Sequence, residues 1–205
     1  MPQIINILGN GRYLPAVGGT DVNGASRVRL THHASHTDPH EVEIIDKDNN
    51  FISLFIMAPA EELIIRKNST DKLRAIYTGG ELVWATPIGY ADNSYPEDDI
   101  KIINGYQSRV LSPWNNQPVG SDMGNEDDAF DGLTLIRCTN TSSASTMQIR
   151  IIDEINGTFP VDLGEEYPRV GNLMINPGSS VCIKKKPRQR ILGQGINIQA
   201  VPVAY

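Results

Sequence analysis

The chain has 205 residues, Lys+Arg 18 against Asp+Glu 24, a formal net charge of −6 and 40% hydrophobic residues. That length allows one ordinary domain or two of roughly 100 residues, the acidic balance argues against a protein that coats nucleic acid, and the apolar share suffices for a packed core. No apolar run approaches the ~18–20 residues of a membrane-spanning helix, Met1-Pro2-Gln3-Ile4-Ile5-Asn6 does not read as a signal peptide, and Cys 2 is too few for a disulfide framework.

Taken in order, residues 1–26 hold Gly9, Gly11, Gly18, Gly19 and Gly24 and read as an extended arm with little core of its own. From there on, short runs rich in β-branched residues alternate with turn chemistry. Val28–Leu30, Val42–Ile45, Phe51–Met57, Leu63–Arg66 and Leu82–Trp84 are expected strands, separated by turns such as Asp48-Asn49-Asn50 and Gly79-Gly80. Residues 91–131, with Pro96, Pro113, Pro118 and the acidic run Glu126-Asp127-Asp128, read as a long connection with one strand near Ile100–Ile103. Strands resume at Leu133–Arg137, Met147–Ile152, Val181–Ile183 and Ile196–Ile198. In Met147-Gln148-Ile149-Arg150-Ile151 the apolar and polar residues alternate, as they do where one face is buried and the other wet.

The later half repeats the earlier one. Pro59-Ala60-Glu61-Glu62-Leu63-Ile64-Ile65-Arg66-Lys67 matches Pro177-Gly178-Ser179-Ser180-Val181-Cys182-Ile183-Lys184-Lys185, and Ala85-Thr86-Pro87-Ile88-Gly89-Tyr90 matches Ala200-Val201-Pro202-Val203-Ala204-Tyr205. Upstream, Arg29-Leu30-Thr31 aligns with Arg137-Cys138-Thr139 and Ile44-Ile45-Asp46 with Ile151-Ile152-Asp153. The order is kept, and the offset drifts only from about 107 to about 118 residues, as loop insertions allow at low cost. The expected fold is therefore all-β: two tandem antiparallel β-sandwich modules, Ig-like or jelly-roll-like, at 27–90 and 132–205, with an extended N-terminal arm (1–26) and a long linker (91–131). Ile4-Ile5-Asn6 and Ile102-Ile103-Asn104 read as equivalent lead-in strands.

The repeat also serves as a control on chemistry. His32, His33, His36 and His40 lie close together, and His33, His36 and His40 are the candidates for a divalent ion. The matching segment Asn140–Ser145 carries no histidine, and adjacent strand residues face opposite ways, so an exposed hairpin is the stronger reading and no metal or cofactor is expected. Cys138 and Cys182 align with Leu30 and Ile64, which suits buried thiols. No nucleophile elbow or paired Cys and His is present. Asp98-Asp99 and Asp127-Asp128 read as solvated turns rather than glycosidic carboxylates. No catalytic residue is expected.

The run Lys184-Lys185-Lys186-Pro187-Arg188-Gln189-Arg190 is strongly basic on an acidic chain. Its charges guard a strand edge or, with Lys184, Lys185, Lys186, Arg188 and Arg190, dock an acidic neighbour. Trp114, Tyr106, Asp127 and Asp128 in the connection are further interface candidates. An Asn140-Thr141-Ser142 turn before an alternating strand, then Pro177 to Lys185, then Ala200 to Tyr205, together resemble small virion structural proteins of tailed bacteriophages, including those that infect cyanobacteria. The resemblance covers both copies and implies a non-enzymatic capsid decoration, neck, connector or tail component. It would be made in the host cytoplasm and would pack against other virion proteins and copies of itself as a homo-oligomer, with neither membrane nor nucleic acid as partner. The alternative is a carbohydrate-binding module of a virion that uses Trp84, Trp114, Tyr95 and Tyr106 as stacking platforms.

Overall fold

The computed structural model describes residues 4–76, 82–90, 101–103, 109–111, 130, 132–153, 169–194 and 197–204. The architecture is all-β. The leading strands are β1 (Ile4–Ile7) and β2 (Arg12–Tyr13), followed by β3 (Arg27–His32), β4 (His40–Ile45), β5 (Phe51–Met57), β6 (Glu62–Arg66), β7 (Lys72–Ile76) and β8 (Val83–Tyr90). Next come β9 (Lys101–Ile102) and β10 (Arg109–Val110), then β11 (Leu135–Asn140), β12 (Met147–Ile152), β13 (Arg169–Ile175), β14 (Ser180–Lys184), β15 (Arg190–Gly193) and β16 (Ile198–Ala204).

In the earlier half, β3 lies between β6 and β8, and β4 lies between β5 and β7. In the later half, β11 lies between β14 and β16, and β12 lies between β13 and β15. The two sets pair in the same order, and details recur. The register slips between Ile44 and Ile45 against β5, and between Ile151 and Ile152 against β13, a bulge at the same place in each half. The turn before β6 closes with Glu61 N donating to Ala58 O, and the turn before β14 with Ser179 N donating to Asn176 O. Asn68 N reaches the Asp71 carboxylate after β6, just as Lys186 N reaches the Gln189 amide oxygen after β14.

Side-chain alternation explains the layers. Val28 and Leu30 of β3 point inward to Val42, Met57, Leu73, Val83 and Ala85, forming the earlier core. Ile136 and Cys138 of β11 point inward to Ile149, Ile151, Leu173, Ile175 and Ile183, forming the later one.

The leading residues are built into these cores rather than standing apart as an arm. Leu14, Val22 and Ala25 join the earlier core. β1 runs between the halves, antiparallel to β8 and parallel to β14, with Ile5 and Ile7 buried in the later core. A single ten-stranded sheet thereby spans both halves. The described parts of the connection repeat this lead-in. β9 pairs with β16 as β1 pairs with β8, and Ile103 N donates to Pro202 O as Leu8 N donates to Pro87 O. β10 pairs with β16 as β2 pairs with β8, with Leu111 N on Ile198 O and Leu14 N on Val83 O. Leu111 and Phe130 lie in the later core.

Candidate assembly surface

Two faces matter: the joint inside the chain and the strand that has no such joint. At the joint, β13, the edge strand of its sheet, rests on the outer face of β3 and β8. Its outward carbonyls are met by side chains from the earlier half. Thr86 Oγ1 donates to Asn172 O at 3.3 Å, Arg29 Nη1 to Met174 O at 2.5 Å and Thr31 Oγ1 to the same oxygen at 3.3 Å. Arg29 is oriented by Glu62, its Nη2 lying 2.8 Å from Oε2. Gly11 N donates to Asn172 Oδ1 at 2.7 Å.

Asn176, just past β13, completes the seam. Its amide donates to His32 O at 2.9 Å and Ala60 O at 2.8 Å, and its carbonyl oxygen accepts from Thr146 Oγ1 at 2.6 Å. Its backbone N–H goes to Glu62 Oε1 at 3.0 Å. A buried edge strand must satisfy its polar backbone, and here Thr86, Arg29 and Thr31 do so for Asn172 O and Met174 O, while Asn176 does the same for His32 O and Ala60 O of the earlier half.

β5 occupies the corresponding edge of the earlier small sheet and is bare. Phe51 is 64% exposed, Ile52 47%, Leu54 40% and Ile56 61%. Only Ser53 interrupts this apolar strand of seven residues, which carries no charge, proline or glycine. Natural sheets blunt open edges with such residues to prevent pairing with other chains, and β5 does the reverse. Beside it, the exposed Glu41 and the Glu43–Arg74 ion pair form a polar border.

The histidines divide into two pairs. His32 and His40 are buried, not displayed on a hairpin, with His32 Nε2 2.6 Å from His40 Nδ1. Burial, then the charge of His40, holds His32 below the ordinary value of 6.5, and burial, then His36, lowers His33. The His33 ring accepts from Ser35 N and contacts the Ser35 hydroxyl at 2.8 Å. The His33 and His36 rings lie 6.1 Å apart and those of His36 and His40 6.4 Å. Among the described residues no group of three His, Cys, Asp or Glu is placed to hold a metal ion.

Cys138 and Cys182 are buried on neighbouring strands and are not joined in a disulfide. Cys138 faces the main later core and Cys182 the separate cluster of Ile4, Leu135, Val201 and Val203, so the two sulfurs occupy opposite faces. Burial pushes the Cys138 thiol up.

The basic segment splits. Lys184, Lys186 and Arg188 are exposed, whereas Lys185 is only 4% exposed and turns its ammonium onto Lys186 O and Pro187 O at 3.2 Å. Lys185 therefore spends its charge on closing its own turn, and Arg190, with a buried Nε, is half-buried. Trp84 is also inside, edge-on to Tyr13 at 4.8 Å with Nε1 donating to Thr86, and offers no stacking platform. Trp114, Tyr95, Tyr106, Asp127 and Asp128, with Asp98 and Asp99, lie outside the described residues.

No family model matches the chain, and no curated protein matches it. Among solved structures it is similar to one described as "Crystal structure of PBSX exported protein XepA", at 12% identity over 98% of this chain and 86% of that one. The TM-score is 0.26, which is too low to carry an argument about fold or role.

The exposed strand is what the sequence reading passed over. The sequence predicts a strand at Phe51–Met57 but, with apolar residues on both sides, says nothing of whether it is covered. The usable signal was comparative: its counterpart Arg169–Ile175 mixes Arg, Gly and Asn into the same position.

Proposed function

We propose that this chain is a non-enzymatic structural component of a bacteriophage particle, working through packing against copies of itself and other particle proteins. The bare apolar edge of β5 carries this reading. Exposed apolar surface at a strand edge is costly in water and prone to uncontrolled pairing, so a chain that keeps it must have a partner to cover it. The resemblance of Asn140–Ser142, Pro177–Lys185 and Ala200–Tyr205 to tailed-phage virion proteins supplies the setting.

The matched strand order supports reading the chain as one unit duplicated, at 27–90 and 132–205, each preceded by its own lead-in strands. Duplication supplies two similar surfaces per chain, which suits a component that tiles. Lys184, Lys186 and Arg188 offer an acidic neighbour a second contact, one sensitive to salt.

Quantitative mass spectrometry of gradient-purified particles is the test. The chain should be found at a fixed multiple per particle, its removal should leave particles that fail to assemble or mature, and its absence from intact particles would defeat the reading.

A further inference from the structure

We propose that copies of this chain join head to tail, with β5 of one copy seated on the Arg137–Thr139 face of the next. This deepens the assembly role proposed above and repeats between chains the joint that β13 makes within each chain.

Three observations converge. First, β5 and β13 hold the same place in their sheets, beside β4 and β12 with the same bulge. Leu54 and Ile56 stand opposite Glu43 and Glu41, as Asn172 and Met174 stand opposite Arg150 and Gln148. Asn172 O and Met174 O are capped by the earlier half, whereas among the described residues no strand pairs with the outer edge of β5. Second, two of the three groups that do the capping have counterparts on the later half, the third, Thr86, being replaced there by Val201. Arg29 and Thr31, 5% and 1% exposed beneath β13, correspond to Arg137 and Thr139, which are half-buried. The two arginines hold the same register, Arg29 opposite Ile64 of β6 and Arg137 opposite Cys182 of β14. Arg29 spends its guanidinium on Met174 O and Glu62, while the buried Arg137 Nε has no hydrogen-bond partner among the described residues. A buried donor left unmet is costly, and a carbonyl in the position of Ile56 O would meet the guanidinium as Met174 O meets Arg29.

Third, the ends of the large sheet are complementary. Among the described residues the sheet ends at β6, whereas the corresponding β14 continues into β1 through a parallel pairing. β9 is placed on β16 as β1 is on β8. Setting β6 of the copy that supplies β5 beside β9 of the copy that receives it would extend the sheet in the sense of the β1·β14 contact.

Because the two mating surfaces differ, the contact is heterologous and propagates until a ring closes or a filament forms. Pairing of β5 with β5 of a second copy, a two-fold contact, is the competing arrangement.

The experiment uses two full-length variants, examined by light scattering with circular dichroism to confirm folding. One carries Leu54→Glu with Ile56→Glu and has a blocked edge. The other carries Arg137→Glu, or Thr139→Lys if the first does not fold, and has a blocked face. Unsubstituted protein should be oligomeric and each variant alone monomeric, while an equimolar mixture should form a one-to-one dimer through the remaining intact pair of surfaces. A monomeric unsubstituted chain, a blocked-face variant that still dimerises, or a mixture that stays monomeric would each overturn the proposal. These measurements need no particles, so absence of the chain from virions would leave them standing.

Discussion

Ala60 and Gly178 hold the same position in corresponding turns, with φ of 60° and 71°. Each follows a proline, and each turn closes the way into the next strand through a hydrogen bond that spans it, Glu61 N to Ala58 O and Ser179 N to Asn176 O. In the left-handed region a Cβ costs roughly 1–2 kcal/mol, and glycine escapes that cost while losing more freedom on folding. Ala60→Gly should therefore raise the melting temperature slightly and Gly178→Ala should lower it, by about 1 kcal/mol of stability each. Thermal melts of the two variants check this, and effects of the same sign would contradict it.

Asn176 ties the halves together with its whole amide. Asn176→Ala would strand His32 O, Ala60 O and the Thr146 hydroxyl in a buried seam. A loss of about 3 kcal/mol is expected, with Asn176→Asp no better because a carboxylate cannot donate to two carbonyls. Chemical denaturation gives the value. A loss below about 0.5 kcal/mol, the usual range for a surface substitution, would show that the seam does not hold the fold.

Gly171 lies where the backbone of β13 meets the lead-in. A Cβ there would run into Gly9 O and Ile7 Cγ2, and the first of these is backbone that cannot swing aside. Gly171→Ala should loosen the contact between the halves, seen as faster hydrogen exchange at β1 and β13 with β4 and β7 unchanged. Uniform protection across the chain would argue that β1 does not depend on this contact.

The His32–His40 pair makes stability pH-dependent. The folded chain holds His32 below 6.5, so the unfolded state binds a proton more readily. Stability is complete above the unfolded value near 6.5 and is lost as the pH falls from there through the folded value. The melting temperature should be flat above about pH 7.5 and decline below about 6.5, ahead of the carboxylate range. His32→Asn, which places there the residue that Asn140 supplies in the later half, should flatten that decline. An unchanged profile would remove His32 as its source.

Much of the strand layout was legible in the sequence. Val28–Leu30, Met147–Ile152 and the turns at Asn49 and Gly178 announce themselves through side-chain alternation and residues that tolerate positive φ. The lead-in was harder. Ile4–Ile7 is too short to specify a partner, and its place between β8 and β14 depends on residues distant along the chain. The histidines read as an exposed loop because local spacing says nothing of His32 and His40 meeting where the chain passes from one sheet, at the end of β3, to another, at the start of β4. Lys185 read as surface charge, since only the fold reveals the carbonyls that draw its ammonium in. The candidate surface was least legible of all: an apolar strand looks the same in sequence whether its cover comes from its own chain or from the next one.

The central claim, that this chain functions by packing against copies of itself, is tested most directly by sedimentation velocity over a wide concentration range. Assemblies heavier than the 22.5 kDa chain are expected, dissociating to single chains when Leu54 and Ile56 become glutamate. A single 22.5 kDa species at every concentration would contradict it.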